Sequence, residues 1–298
     1  MLLIAGEKKF GSGVVIRQIL KNKTFCLIST NGMFLSLLRL PYLVYKNKII
    51  YFQPSIYGSS VLRDFAIYLL LICLNKKFNI ILLCDVNASR FRFLAFNILN
   101  SSNCICIYSA SKLNSCIKTK SVIFRQLSEK PASYKVSSKL PLTLVYGNYL
   151  SKAKGLANFL KCIDDLRLGD YLIYGSSNNS DVDLENYQCY RTLSISEFEG
   201  FFHTDVYAKF SNHVYFFGSY LDLSPLVVEN AIINGLPIVV YKNQRAAKIL
   251  DNFIGPDGYL DISDCSSLCH IDRAQLVASW TSACSVLSSR WPLNEVLK

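Results

Sequence analysis

The sequence predicts an α/β protein of two doubly wound domains, and three observations lead to this fold class. Short β-branched or apolar runs alternate with longer helical runs along most of the 298 residues, which is the order of a parallel sheet with crossover helices. A polar segment with two prolines, residues 128–141, interrupts the alternation once, as a linker does. The chain is also long enough for each half to bury a core of ordinary domain size.

The first half, residues 1–140, is expected to hold strands and helices in alternation. The short apolar runs that predict strands are 1–6, 24–30, 48–54, 79–85, 104–109 and 121–126. The longer runs that predict helices are 13–22, 60–77 and 89–102. The linker follows, so we interpret residues 1–140 as the first domain.

The alternation resumes after the linker and predicts a second domain over residues 141–282, with a helical tail at 283–298. Its strands are expected at 142–148, 170–177, 213–219, 237–241 and 258–262. Its helices are expected at 153–166, 194–210, 225–234 and 244–253. Two such domains leave a cleft between the carboxyl ends of their strands, which is where doubly wound sheets bind ligands.

Composition narrows the class of protein. The chain is 51% hydrophobic with a mean hydropathy of +0.26, which excludes a disordered chain. Its longest apolar run, residues 65–74, is far shorter than the roughly 20 residues that span a bilayer. The N-terminal run lacks the flanks of a signal peptide, and the 11 cysteines are odd in number without regular spacing. We therefore expect a cytoplasmic protein, either soluble or attached to the inner face of the membrane. The cysteine cluster at 265–270 has no second cluster to complete a tetrahedral set, so no metal is expected.

Charge is distributed unevenly along the chain. Residues 1–140 carry 20 Lys or Arg and 4 Asp or Glu, whereas residues 141–298 carry 12 and 17. Such asymmetry indicates that the first half meets an anionic partner, or only that it has a solvated basic surface. The sequence has no nucleic-acid-binding signature, so nucleic acid is not the expected partner. An anionic membrane surface would use the same charge.

One helix of the second domain carries polar residues that its apolar surroundings do not explain. Ser224 is a natural N-cap, Pro225 suits the first helical position, and Gly235 closes the C-terminus. The free amide groups at such an N-terminus suit a phosphate. Glu229 and Asn230 then lie inside an otherwise apolar helix and require a partner.

The stretch that contains this helix resembles a known family. Residues 222–240, DLSPLVVENAIINGLPIVV, resemble the signature of the retaining GT-B glycosyltransferases of family 4, which ends in Gly-Leu-Pro-Val-Val. Further segments resemble the same family in the same order along the chain, namely 10–20, 58–83, 146–160 and 254–262. The resemblance implies two Rossmann-like domains facing a central cleft, a nucleotide-sugar donor and retention of anomeric configuration. It also implies that no metal, flavin or nicotinamide cofactor is used.

The resemblance assigns donor-binding roles to several residues. The family's two glutamates fall on Asp222, near the sugar, and on Asn230, at the nucleotide ribose, with Glu229 one residue early. Either Asn230 or Glu229 is then expected to face a ribose; otherwise Glu229 reaches solvent and Asn230 caps a backbone group. Ser224, Pro225 and Leu226 open the helix whose N-terminus would meet the donor phosphate.

The cations that the family uses are only partly present. Lys154 matches the family's lysine, which would stabilise the charge that develops on the departing phosphate. The partner arginine is missing, and its place falls on Asn148 or Tyr149. The loop 242–248 lacks the usual Gly-Gly, and Lys242, Arg245 or Lys248 would replace the absent cation unless the loop is simply solvated.

The acceptor side also departs from the family. Asp85 takes the place of a histidine and would bind or deprotonate an acceptor hydroxyl, or merely cap the next helix. Gly11, Ser12 and Gly13 form the first loop and would let backbone approach a diphosphate or an acceptor.

We therefore predict a metal-independent glycosyltransferase. It would move a sugar to a saccharide or polyprenyl-diphosphate-linked acceptor in the synthesis of a surface polysaccharide, such as lipopolysaccharide O-antigen, capsule or exopolysaccharide. The alternative is a non-catalytic GT-B partner or scaffold of an active transferase. The departures at the arginine, the Gly-Gly loop and the acceptor histidine, together with the weakened glutamate pair, are the reason for considering that alternative.

Overall fold

Two parallel sheets organise the chain, one in each of two units. In this computed structural model the described residues are 1–5, 26–29, 33–54, 60–82, 92–107, 119, 121–125, 133–134, 142–168, 171–176, 184, 187, 190–193, 212–220, 225–266 and 270–292. One unit is formed by residues 1–128 with 290–298, and the other by residues 129–289. Each unit is described by itself below.

The sheet of the first unit is parallel throughout its described pairs. Its strands are β1 (Leu2–Ala5), β2 (Cys26–Ser29), β3 (Ile50–Phe52), β4 (Asn79–Leu82), β5 (Ile105–Ile107), β6 (Ser121–Arg125) and β13 (Trp291–Pro292). Their order across the sheet is β2-β1-β3-β4-β5-β6-β13. Every residue of β1 and β3 is buried, which is why these strands read as unbroken apolar runs rather than as alternating ones.

Three described helices cover this sheet. They are α1 (Met33–Lys46), α2 (Ser60–Cys73) and α3 (Arg92–Asn100). One core joins their inward residues to alternate residues of the strands: Leu40, Val44, Ile67, Leu71, Ile98, Leu2, Ile4, Phe52 and Ile80. Because the strand members alternate, the three helices lie on one face of the sheet.

The sheet of the second unit is also parallel in its described pairs. Its strands are β7 (Thr143–Gly147), β8 (Tyr171–Ser176), β9 (Tyr190–Leu193), β10 (His213–Phe216), β11 (Ile238–Val240) and β12 (Leu260–Asp261). Their order is β9-β8-β7-β10-β11-β12. The chain therefore builds outward from β7 in one direction and then returns to start again at β10. This reversal is the topological switch point at which doubly wound sheets bind ligands.

The helices of the second unit follow the strands. They are α4 (Leu156–Leu166), α5 (Leu226–Ile233), α6 (Gln244–Ile254) and α7 (Arg273–Ser288), with short 3₁₀ turns at Lys152–Lys154 and Pro256–Gly258. Aromatic residues form much of the core: Phe159 stacks edge-on against both Tyr171 and Phe216. None of the helices in the described ranges has the length and apolar character needed to cross a bilayer.

The predicted alternation is confirmed wherever the structure describes it, with three differences. No element was expected at residues 31–47, yet α1 lies there with Pro41 inside it; a proline removes one helical hydrogen bond, and burial of Leu40 and Val44 offsets that loss. Strand β9 was not expected. The separate helical tail expected at 283–298 is also different: the helix there begins at Arg273, and the chain after it adds strand β13 beside β6 of the first sheet. The helices expected at 13–22 and 194–210 lie outside the described residues.

Candidate functional site

The carboxyl ends of β7 and β10 form the centre of the candidate site. The two strands are neighbours, with Val145 opposite Tyr215. The loop after β7 leads through the 3₁₀ turn Lys152–Lys154 to α4, and the loop after β10 leads to α5. Both helices thus begin at the switch point of this sheet, the place where a Rossmann-like domain receives its ligand.

A close backbone approach joins these two loops. Gly155 has φ +84°, and a Cβ added to it would lie 2.5 Å from the Cα of Gly218, and closer still to the Gly218 carbonyl. In the reverse direction, a Cβ on Gly218 would lie 3.0 Å from the carbonyl oxygen of Gly155. Only glycine satisfies both the left-handed backbone and this separation. The pair therefore fixes how near the turn before α4 lies to the loop before α5.

Hydrogen bonds hold the same loops in place. The backbone N–H of Tyr220 donates to the carbonyl of Ala153 at 3.0 Å. The hydroxyl of Tyr215 donates to the carbonyl of Gly147 at 2.6 Å, and that of Tyr146 donates to the carbonyl of Tyr149 at 2.6 Å. The side chains of Tyr146 and Tyr215 are buried, each with 1% exposure. Two core tyrosines thus set the path of the chain as it leaves β7.

A third loop, after β11, is tied to the other two through Asn243. The side chain of Asn243 is buried; its Nδ2 donates to the carbonyl of Gly218 at 2.9 Å, and its Oδ1 accepts from the N–H of Ala246 at 3.0 Å. Asn243 therefore caps α6 and holds the loop after β10 at the same time. Asn158 at the start of α4 donates to the carbonyl of Tyr241 at 2.6 Å. The three loops form one connected edge.

Lys154 lies at the end of the 3₁₀ turn, next to this close approach, and is partly exposed. Asn148, at the place of the family's arginine, is buried, and its Oδ1 accepts from the N–H of Tyr149 at 2.8 Å. The amide of Asn148 therefore shapes its own loop and supplies no charge. Tyr149 is half-buried.

Helix α5 is buried almost all round. It begins at Leu226, with Pro225 at the N-cap, one residue later than the sequence analysis placed it. It ends as expected at Gly235, which has φ +85°. There the N–H of Gly235 donates to Ile232 and the N–H of Leu236 donates to Ala231, which is a Schellman motif.

Glu229 and Asn230 are both buried in α5, at 0% and 4% exposure. The expectation that Glu229 reaches solvent is therefore wrong. Its carboxyl lies in the first turn of α5, where the positive end of the helix dipole favours a negative charge. Asn230 accepts from the Nδ2 of Asn234 at 3.0 Å through its side-chain Oδ1, within the same helix.

The basic loop after β11 does not place Lys242 at the switch point. The Nζ of Lys242 donates to the carboxyl of Asp165 at 3.2 Å and lies 4.8 Å from the centre of the Tyr241 ring. The Tyr241 hydroxyl donates to the same carboxyl at 2.6 Å. These bonds, that of Tyr241 before that of Lys242, hold the pKa of Asp165 below its ordinary value. Of the three proposed replacements, Lys242 is thus committed to Asp165, while Arg245 and Lys248 are exposed on α6.

Several predicted site residues lie outside the described residues: Asp222, Ser224, Asp85, Gly11, Ser12 and Gly13. Conversely, sequence analysis gave no role to Gly218, Asn243 and Tyr215. The signal for Gly155 was its place directly after Lys154 in the family-like segment. Gly218 and Asn243 lie in loops that follow strands, a position too common to mark them in the sequence. Only the folded sheet brings these two loops into contact.

Comparison with solved structures identifies proteins of similar architecture. The chain is similar to the pneumococcal O-GlcNAc transferase GtfA in complex with UDP and GlcNAc, with a TM-score of 0.57 and 13% identity over 88% of this chain and 57% of GtfA. It is similar to Phytolacca americana UGT2 complexed with UDP-2fluoro-glucose and pterostilbene, with a TM-score of 0.53 and 8% identity over 97% and 93%. It is similar to TarM, with a TM-score of 0.52 and 10% identity over 88% and 55%.

These similarities define the fold. The chain has the Rossmann-like GT-B fold, as the sequence predicts, and its structural neighbours include GT-B glycosyltransferases. It spans little more than half the length of GtfA and TarM. No protein-family model matches the sequence, and no curated protein matches it by sequence.

Proposed function

We propose that the protein is a glycosyltransferase that takes a sugar from a nucleotide-sugar donor bound by the second unit. The observation that carries the proposal is the connected edge at the switch point of that unit. There, the loop after β7 carries Lys154, and the loop after β10 leads to α5, in which Glu229 and Asn230 are buried. Two structural neighbours, GtfA and UGT2, were solved with UDP or a UDP-sugar, which supports a nucleotide sugar as the donor.

Each part of this edge has a chemical role in the transfer. When the bond from the sugar to the diphosphate breaks, negative charge develops on the departing phosphate. The Lys154 ammonium and the first N–H groups of α5 would stabilise that charge, because a preorganised cation and helix N-terminus need no rearrangement during the reaction. Asp222 would contact the sugar. These interactions lower the barrier only where they are stronger in the transition state than in the bound donor.

The ribose contact is assigned to Glu229 or Asn230. A carboxylate or amide oxygen accepts hydrogen bonds from ribose hydroxyls, and the carboxylate is the stronger acceptor. Because Asn230 accepts from Asn234, a ribose hydroxyl would share or replace that bond. Glu229 keeps its carboxyl within the first turn of α5, so we assign it the stronger contact.

The acceptor and the location of the protein complete the proposed function. We propose a metal-independent, retaining transfer to a saccharide or lipid-linked acceptor in surface polysaccharide synthesis, with Asp85 and the Gly11–Gly13 loop on the acceptor side. The basic first half supports an acceptor held at the inner face of an anionic membrane. Donor-site residues Tyr149, Pro225, Leu226 and Arg245 would line the path of the nucleotide.

Nucleotide binding tests the proposal directly. UDP or GDP added at about 100 times its Kd should raise the unfolding free energy by about 2.7 kcal/mol, measured as a rise in Tm. Lys154→Ala should remove most of that rise. Lys152→Ala is the matched control, since Lys152 lies in the same 3₁₀ turn and is exposed; it should keep the wild-type response.

One result would decide against a catalyst, and a second would decide against the role of Lys154. If neither UDP nor GDP nor any nucleotide sugar raises Tm, the chain behaves as the non-catalytic GT-B partner would. If Lys152→Ala and Lys154→Ala weaken binding equally, general charge rather than the position of Lys154 explains the effect. Release of free sugar from a panel of nucleotide sugars, assayed with the same variants, would then identify the donor.

A further inference from the structure

The large exposed hydrophobic side chains of this protein are concentrated on one unit. Ten such side chains are exposed among the described residues, and eight of them belong to the first unit. Those eight are Leu38, Tyr42, Tyr45, Ile49, Leu62, Leu69, Ile72 and Phe93. Single exposed apolar residues are ordinary, but a group confined to one region marks an interaction surface.

Helix α1 carries a second apolar face in addition to the one in the core. Leu40 and Val44 are buried against the sheet, whereas Leu38, Tyr42 and Tyr45 are 76%, 65% and 80% exposed. The exposed three are spaced by four and three residues, so they form one stripe along the outer side of the helix. A helix that only covered its own sheet would have polar residues there.

Helix α2 extends this stripe. Its inward residues Ile67 and Leu71 share the core of α1, so both helices lie on the same face of the sheet. Leu69 and Ile72 are each 46% exposed. Just after the C-terminus of α2, Lys76 donates from Nζ to the carbonyl of Tyr45 at 3.2 Å and lies 5.5 Å from the centre of that ring. The C-terminal ends of the two helices are therefore adjacent, and we call Leu38, Tyr42, Tyr45, Leu69 and Ile72 the outer helical face.

Positive charge surrounds the outer helical face. Arg39, Lys46, Lys48 and Lys77 are exposed on or beside α1 and α2, and Lys76 is partly exposed. Between residues 33 and 82 the sequence has six Lys or Arg and a single acidic residue, Asp64. That aspartate is buried and paired with Arg63 at 2.8 Å. The described surface around the outer helical face therefore presents cations without acidic neighbours.

We propose that the outer helical face docks on the surface of an anionic lipid bilayer. Leucine, isoleucine and tyrosine would enter the boundary between head groups and acyl chains, where tyrosine places its ring in the apolar part and its hydroxyl in the polar part. The lysine and arginine side chains would extend to the lipid phosphates. A second copy of the chain fits poorly, because each copy would bring the same positive charge to the contact. Nucleic acid would meet the charge but leave the aliphatic side chains without a partner.

This proposal deepens the proposed function, since a lipid-linked acceptor would lie in the same bilayer. Docking itself requires neither a nucleotide nor a sugar. The two ideas can therefore fail separately.

Sedimentation of the full chain with lipid vesicles tests the docking. We expect binding to phosphatidylcholine vesicles that contain phosphatidylglycerol to exceed binding to phosphatidylcholine alone by roughly tenfold or more at low salt. Raising the salt to about 0.5 M should weaken the binding, because charges at the bilayer surface are then screened. Leu38→Ser/Tyr42→Ser/Tyr45→Ser should reduce partitioning by roughly tenfold or more, and Lys46→Glu/Lys48→Glu should do the same.

Matched variants on the second unit control for general hydrophobicity and charge. Val277→Ser removes an exposed apolar side chain there, at 41% exposure. Lys161→Glu/Arg167→Glu changes net charge as much as Lys46→Glu/Lys48→Glu does, and both residues are exposed. Both controls should bind vesicles like the wild type. All variants change exposed side chains, so their Tm and the Tm response to UDP should stay unchanged, which separates docking from donor binding.

Three results would overturn the proposal: no binding to anionic vesicles at low salt, equal loss in the control variants, or unchanged binding in both α1 variants. A dimer seen by light scattering that the triple serine variant disperses, without vesicle binding, would assign the outer helical face to a second copy instead. Vesicle binding by a chain that fails to respond to any nucleotide would support docking and contradict the proposed function alone.

Discussion

Replacing Gly155 by alanine tests the feature on which the candidate site depends most, the close approach of its two central loops. Gly155 has φ +84° and ψ 18°, which is the left-handed helical conformation. An L-residue adopts this conformation at a cost of about 1–2 kcal/mol. The added methyl group would also lie 2.5 Å from the Cα of Gly218, far inside the usual contact distance of about 3.5–4.0 Å.

The magnitude follows from these two contributions. The overlap is with backbone atoms of Gly218, which no side-chain rotation relieves, so one loop must move by about 1 Å. Overpacking of this kind costs about 1–3 kcal/mol. Together with the backbone cost, we expect Gly155→Ala to reduce the unfolding free energy by about 2–5 kcal/mol. For a unit of this size the Tm would fall by roughly 5–15 °C.

Gly255→Ala is the matched control. Gly255 also has positive φ, +83°, but the nearest atom to an added Cβ is a Val286 methyl at 3.9 Å, an ordinary contact. Its cost is backbone strain alone, of about 1–3 kcal/mol, and it leaves the loops after β7 and β10 in place. Gly155→Ala should therefore weaken UDP binding at least about tenfold, as read from the Tm response, whereas Gly255→Ala should retain it.

Urea unfolding followed by circular dichroism, with and without UDP, measures both effects. A Gly155→Ala protein with wild-type stability would mean that these loops do not approach each other as described. A Gly155→Ala protein that is destabilised yet binds UDP normally would mean that the approach supports the fold and not the site.

Three further predictions concern side chains around the second unit. Tyr215→Phe removes the hydrogen bond to the Gly147 carbonyl and should cost about 1–3 kcal/mol in urea unfolding; an unchanged midpoint would show that the carbonyl finds another donor. Tyr134 packs against Trp280 with a buried hydroxyl that has no hydrogen-bond partner among the residues that the structure describes, and burial raises its pKa to about 12. Tyr134→Phe should accordingly leave stability equal or higher, and a clear loss of stability would contradict this; Tyr134→Ala, which also removes the ring contact, should lower it. The depressed pKa of Asp165 stabilises the fold above the pKa of the unfolded chain, and that contribution is lost as pH falls through the folded pKa. Asp165→Asn should therefore flatten the fall of Tm below about pH 4, and an identical acid profile in wild type and variant would refute the assignment.

The sequence by itself determined the repetitive part of the architecture. Buried parallel strands such as β1 and β3 need apolar residues on both faces, so each appears as a short continuous run that alternation with helices makes recognisable. The end of α5 was equally readable, because a Schellman motif requires the positive φ that Gly235 provides. The resemblance to a family singled out Lys154, which Gly155 follows directly, and the structure shows that only glycine fits at position 155.

Only the tertiary structure decided which residues meet at the switch point. Gly155 and Gly218 are far apart in the sequence, and neither flanking segment predicts that their backbones are in contact. They meet because β7 and β10 are neighbours in the sheet. In the sequence, Lys242, Arg245 and Lys248 were equal candidates for the missing cation, because charge alone does not predict that Lys242 pairs with Asp165. Helix α1 is a third case: Pro41 argues against a helix locally, and the burial of Leu40 and Val44 against the sheet overrides it. Local patterns record what each segment prefers, whereas contacts between distant segments depend on packing energies that no single segment contains.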